Sequence, residues 1–261
     1  MPILKPEYFV EVHVYGCAFD IRANDVPIFA NPEGRGGALE IPLNNWIRPG
    51  RNVLSWALGP MGRERRIDSG ASCEAIVFVR PMNPTRDDRQ EVARLQYLPA
   101  APSDPSASIA RNEKAFDAEV PFAASRWFSA AVIGDTKGAY AQVLIELRRL
   151  HSLLKDRRID EVMAFMAIKN EELAQSIYMT REQRSRDARR EIERCFARNM
   201  ELLPLEEDRA RFSLVGGGRL AAMTRPDGRS ILRFREREGT LSAAISAYFC
   251  RSAEQGWIWI R

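Results

Sequence analysis

The sequence predicts a two-domain fold: an all-β, jelly-roll-like sandwich over 1–98, a linker or long loop over 99–110, and an α+β domain over 111–261 whose helices pack on an antiparallel curved sheet. Three observations carry this. Runs of period-two alternation separated by turn residues fill the first part of the chain, with no window of helical period among them. Three prolines and three serines crowd into the ten residues from Pro99 to Ser108. Beyond them apolar residues recur at steps of three and four, and then alternation returns.

The residues Phe9-Val10-Glu11-Val12-His13-Val14-Tyr15 alternate as a half-buried strand does, because successive side chains point to opposite faces. Strands at 18–23 and 26–30 follow, joined by Asn24-Asp25, two residue types that tolerate the left-handed backbone of a tight hairpin. Runs at 36–43, 51–58, 74–79 and 91–98 bring the total to about seven short strands, as in a sandwich. Residues 112–133 mix alternation at Phe116-Asp117-Ala118-Glu119-Val120 with an apolar cluster at Trp127-Phe128, so they either open the second domain or return to the sandwich as a last strand.

Within Asn44-Asn45-Trp46-Ile47-Arg48-Pro49-Gly50-Arg51-Asn52-Val53-Leu54, Pro49 presets one dihedral, Gly50 supplies a left-handed one, and Asn52 can cap amides before the next strand. This Pro-Gly-x-Asn ending, with the hairpin Asn24-Asp25-Val26-Pro27, resembles galactose-binding-like and β-galactosidase-type jelly rolls. The resemblance implies architecture, and a sugar site does not follow from it. A carbohydrate platform needs exposed aromatics; Trp56 alternates with Leu54 and Leu58 and reads as core, which leaves Trp46 as the candidate.

In the second domain Tyr140, Val143, Leu144, Leu147, Leu150 and Leu154 place an amphipathic helix over 136–155. A second helix carries Ile159, Val162, Met163 and Met166 and runs on through Leu173 to Ile177. A third, 181–198, holds seven arginines and four acids around a narrow stripe of Ile192, Cys195 and Phe196. Its Glu191-Arg194-Arg198 and Asp187-Arg190-Arg194 spacings predict a solvated face laced with ion pairs. Strands at 209–215, 219–224, 230–235, 241–250 and 257–260 follow, with turns at Gly216-Gly217-Gly218 and Pro226-Asp227-Gly228. Helices followed by an antiparallel sheet ending on Gly256-Trp257-Ile258-Trp259-Ile260 resemble the nuclear-transport-factor-like (cystatin-like) cone. That resemblance implies a ligand binder, a dimer module or a small enzyme.

The net charge of +4 comes from 34 arginines and 5 lysines against 35 interleaved acidic residues. Such spreading points to a GC-rich, bacterial genome more than to a phosphate-binding face, and disfavours a nucleic-acid partner. Cys17, Cys73, Cys195 and Cys250 stand far apart with no ligand spacing, so no metal and no cofactor are expected, and Cys17 and Cys73 read as reduced core residues. No secretory signal and no membrane-spanning run are visible, which predicts a cytoplasmic protein with no membrane partner.

Catalytic signals are sparse. His13 and His151 fall in different domains, no serine or cysteine sits in a nucleophile elbow, and neither glycine cluster matches a phosphate loop. Paired carboxylates at Asp160-Glu161, Glu171-Glu172 and Glu206-Glu207-Asp208 read as solvated. The sequence therefore predicts a non-catalytic binding or protein-interaction protein with a protein or small-ligand partner, its surface built from Arg233, Arg235, Tyr248, Trp257 and Trp259, with Trp46 on the sandwich. Two alternatives stay open: an enzyme of the cone-like superfamily, and a carbohydrate-binding module.

Overall fold

A computed structural model describes residues 3–34, 36–82, 88–98, 109–238, 242–254 and 256–261. The chain is mixed and mostly β, with four antiparallel sheets and four α-helices among the described residues. It divides into two compact units, Met1–Ala124 and Ser125–Arg261.

The first unit holds β1 (Pro6–Tyr15), β2 (Ala18–Ala23), β3 (Val26–Asn31), β4 (Gly37–Pro42), β5 (Gly50–Gly59), β6 (Ser72–Pro81), β7 (Gln90–Tyr97) and β8 (Ala110–Ala118). One sheet is ordered β4-β1-β6-β7 and the other β3-β2-β5-β8. Both arise from one bent hairpin: β2 pairs with β3 across Asn24 and Asp25, both at positive φ, and β1 pairs with β4 further from the turn. Aromatic pairs cross between the sheets, Tyr8 with Phe116 at 6.4 Å and Trp56 with Tyr97 at 6.0 Å. Trp56 is core, 3% exposed.

Strand β8 corrects the expected boundary. It pairs with β5 from Gly50↔Ala118 to Leu58↔Ala110, so residues 110–118 belong to the first unit and the division falls after Ala124. The physical reason is the outer edge of β5, whose amides and carbonyls need partners that β8 supplies. Of the expected linker, residues 99–108 lie outside the described residues.

In the Pro-Gly-x-Asn segment Asn52 is the hub of a hydrogen-bond network. Asn52, 1% exposed, accepts from the Arg48 N–H at 3.0 Å and donates to the Arg48 and Gly50 carbonyls at 2.8 Å each. Asn24 Nδ2 in turn donates to Asn52 Oδ1 at 2.9 Å and to the Trp46 carbonyl at 2.8 Å.

The second unit holds α1 (Thr136–Lys155), α2 (Ile159–Phe165), α3 (Ala167–Ser176), α4 (Arg181–Ala197), β9 (Met200–Leu202), β10 (Arg211–Val215), β11 (Leu220–Thr224), β12 (Arg233–Glu236), β13 (Ser242–Ala244), β14 (Tyr248–Ser252) and β15 (Gly256–Trp259). Asp135 caps α1 by accepting from the Gly138 N–H, and a Thr180–Gln183 capping box opens α4. The single helix expected over 159–177 is interrupted at Met166, whose ψ of 0° departs from the helical value.

The expected single curved sheet is two sheets, β10-β11-β14-β15 and β13-β12-β9. The run expected over 241–250 is two strands in different sheets, and the chain crosses between them at 245–247, where the Ile245 N–H bonds the Leu232 carbonyl. All three glycines of the β10–β11 turn have positive φ, the conformation that favours glycine. Residues of α1, α2, α4 and both sheets share one apolar core, including Leu147, Leu150, Phe234, Phe249 and Trp259.

Asn52→Ala leaves three main-chain groups without their partner. We expect a loss of about 1–3 kcal/mol or more in urea unfolding, with the second unit's core unaffected. A variant as stable as wild type would show the network to be dispensable.

Candidate functional site

Helix α3 turns a polar face inward: Lys169, Asn170, Glu172 and Ser176 are 8%, 0%, 9% and 3% exposed. Charge taken out of water must find partners. Glu172 does so in full. Its carboxylate accepts from Arg261 Nη1 at 3.2 Å, from the Arg126 N–H at 3.1 Å and from Ser125 Oγ. Burial lowers the Arg261 pKa, and Glu172 opposes that shift.

Lys169 is held differently. Its Nζ donates to the Ser246 carbonyl at 3.1 Å and stands 4.1 Å from the ring centroid of Trp259. Trp259 Nε1 donates to the same Ser246 oxygen at 3.1 Å and to the Arg261 main-chain oxygen at 2.6 Å. Among the described residues no carboxylate forms an ion pair with this amine. Burial pushes its pKa down to about 7, helped by the Arg261 and Arg184 guanidinium groups and opposed by Glu191.

A cavity of about 490 Å³ opens against this lysine, between α3, α4, Phe234 of β12 and residues 242–246. Met166, Leu173, Ala188, Ile192 and Phe234 give it an apolar lining. Arg184, Glu191, Arg194 and Arg198 supply its charged groups from α4 and the residue after it. Arg184 is engaged, both its Nη atoms bonding Glu191 at 3.1 and 3.2 Å. Arg194 and Arg198 have no ion-pair partner among the described residues, so the expected Glu191-Arg194-Arg198 ladder is replaced by the Arg184–Glu191 pair two turns apart. Cys195 also lines the cavity, and burial raises its thiol pKa. A second concavity is lined by Arg157, Arg198, Glu201, Glu236, Arg237 and Glu238.

The expected surface is not assembled. Trp259 is 2% exposed and stacks on Phe249 at 6.5 Å, and Trp257, half-buried, packs against the same core. Their shared face meets the helices, while Ile258 and Ile260 on the other face are buried too, so the strand is covered on both sides. Tyr248 is half-buried, and its N–H bonds the Arg261 oxygen. Arg233 pairs with Glu206 at 3.1 Å and Arg235 is exposed, both in the other sheet. Trp46 is half-buried in the first unit.

Other chemistry-bearing residues are accounted for. His13 bonds Glu11 at 2.6 Å and His151 bonds the Leu203 carbonyl at 3.0 Å, each in its own unit. Asp160, Glu161, Glu206 and Glu207 each pair with an arginine, whereas Glu172, expected in water, is buried. The four cysteines are free, and burial pushes the Cys73 and Cys250 thiols up to about 12. Among the described residues no cluster of three His, Cys, Asp or Glu side chains could hold a metal, and no helix is long and apolar enough to cross a membrane.

Sequence reasoning missed Lys169, Arg194 and Arg198. The available signal was the string Lys169-Asn170-Glu171-Glu172 inside a helix with too few apolar residues to explain its packing.

Two outcomes follow for Trp259 and Lys169. Trp259→Ala should lose about 3–5 kcal/mol of unfolding free energy, the cost of a deleted core aromatic; a loss under about 1 kcal/mol would return it to the surface. The Lys169 pKa of about 7 lies below the unfolded value of about 10.4, so the unfolded chain binds more protons between those limits and stability rises with pH across that window. Lys169→Met removes a contribution of up to roughly 1.4 kcal/mol per pH unit, so its advantage over wild type in urea unfolding should shrink from about pH 7 to about pH 10. A difference flat with pH would contradict the depressed value. No family model matches the chain, no curated protein or solved structure matches it, and the function has to be read from the chemistry of this cavity.

Proposed function

We propose that the protein is a non-catalytic binding protein whose cavity takes a small anion with an apolar body. In this reading the second unit is a cone-like binding unit and the first a jelly-roll-like scaffold. The observation that carries it is the pairing of an apolar lining with two guanidinium groups, Arg194 and Arg198, that have no carboxylate of their own among the described residues.

The size suits a small molecule, since such sites run from about 300 to 1,000 Å³ and combine apolar walls with a few convergent polar groups. Guanidinium favours carboxylate or phosphate because its planar donors match two oxygens at once. Lys169 adds positive charge whenever it is protonated, and Glu191, already bound to Arg184, is the acidic residue of the lining. Cations are disfavoured by the same field.

Titration calorimetry near neutral pH with octanoate, octan-1-ol and octylamine separates charge from apolar burial. Octanoate should bind, octan-1-ol more weakly and octylamine least. Arg194→Glu with Arg198→Glu should weaken octanoate about tenfold or more, the worth of one charge-assisted hydrogen bond. Equal binding of all three compounds, or of none, would overturn the reading.

A further inference from the structure

We infer that Lys169 captures a small oxo acid covalently, its Nζ condensing with the ligand's carbonyl carbon to form an imine while a cavity arginine holds the carboxylate. This rests on the anion-binding reading and names the ligand class for the same cavity.

The geometry supplies each requirement. Lys169 lines the cavity together with Ser246, whose carbonyl accepts from the amine at 3.1 Å, and the Trp259 ring centroid lies 4.1 Å from Nζ. An amine held by a carboxylate would stay an ammonium ion and lack a lone pair; here no carboxylate pairs with it among the described residues. Leu173, Ile192 and Phe234 line the same space, and an apolar wall slows hydrolysis of an imine by keeping water out. Arg194 and Arg198 line that space too and match the ligand's carboxylate. The depressed pKa of about 7 means that a substantial fraction of the amine is neutral at physiological pH.

The step balances without oxidant or reductant. The amine lone pair forms a C–N bond to the carbonyl carbon as the C=O π pair moves to oxygen, and a proton shifts from nitrogen to that oxygen to give a carbinolamine. The hydroxyl takes one proton from solvent and leaves as water as the nitrogen lone pair forms the C=N bond, which gives the protonated imine. The protonated imine keeps one N–H for the Ser246 oxygen, and its positive charge suits the indole face beneath it.

The test uses the full chain with 2-oxooctanoate and sodium cyanoborohydride, which reduces the imine to a stable secondary amine, followed by intact-mass and peptide mass spectrometry. The four other lysines, Lys5, Lys114, Lys137 and Lys155, are internal controls. Lys169 should be labelled at least tenfold faster than any of them, excess octanoate should suppress its labelling, and octan-2-one, which lacks the carboxylate, should label it at least tenfold more slowly. Lys169→Arg should carry no comparable adduct. If Lys169 is labelled no faster than the other lysines while octanoate still binds in calorimetry, the covalent step fails and the binding reading stands. If octanoate neither binds nor protects, both fall. The protection measurement is made on wild-type protein, so it holds even where Lys169→Arg does not fold.

Discussion

The main-chain oxygen of Ser246 is the point on which the second unit turns. It accepts from Lys169 Nζ and Trp259 Nε1, and Trp259 Nε1 also reaches the Arg261 oxygen, which accepts from the Tyr248 N–H. Arg261 extends the chain of contacts to Glu172, and Glu172 to Ser125 and Arg126. Four stretches of the sequence, 125–126, 169–172, 246–248 and 259–261, are tied by hydrogen bonds that are buried or part-buried. Such a network is costly to break at its buried ion pair, because Glu172 or Arg261 left alone keeps a charge in a medium of low dielectric. It fixes where α3 lies relative to β14 and β15, and where residues 245–247 cross from one sheet to the other.

The cavity follows from that arrangement. Lys169 is held by a carbonyl and a ring face, not by a carboxylate, and it lines the cavity between α3 and α4. Helix α4 then divides along its length. Arg189 and Arg190 are ion-paired with Asp160 and Asp187 outside the cavity and Arg184 with Glu191 on its wall, whereas Arg194 and Arg198 line the cavity without such partners among the described residues. One arginine-rich helix thus supplies a solvated, salt-bridged flank and a cationic mouth. Exposed pairs of this kind add little to stability. The unpaired ones matter for what they can bind.

How much of this was legible in sequence depended on the range of the interaction. Helix α1 spans Thr136–Lys155 as its apolar spacing predicts, and the left-handed Asn24 and Asp25 are where two turn-forming residues placed them, because periodicity and turn chemistry act over a few residues. Strand β8 was ambiguous because its pattern, mostly exposed, becomes a strand through pairing with β5 some fifty residues or more away in the chain. Two indoles on one face predict a wet edge for their N–H groups; instead the Trp259 ring packs in the core while its Nε1 donates to the Ser246 and Arg261 carbonyls. Glu172 looked solvated for the same reason in reverse, since its partner Arg261 lies 89 positions on. Helix α3 therefore offered no apolar stripe to read, and the site it carries was invisible to a search for amphipathic faces.

A buried lysine with a depressed pKa is a standing cost to the fold, and at neutral pH the second unit would be more stable with an apolar side chain in its place. Neither the Ser246 oxygen nor the Trp259 indole requires an amine: a carbonyl that already accepts from Trp259 Nε1 is satisfied without a second donor, and the ring packs equally well against a methionine. Glu172 differs, because removing it would strand the Arg261 guanidinium, 5% exposed, without its counter-charge. Of the two charges on the inward face of α3, one is thus accounted for by folding and the other is not. Local rules are broken without structural compensation chiefly where a site needs them broken. Lys169 is such a departure, and it stands on a cavity wall whose lining also holds the guanidinium groups of Arg194 and Arg198, without ion-pair partners among the described residues.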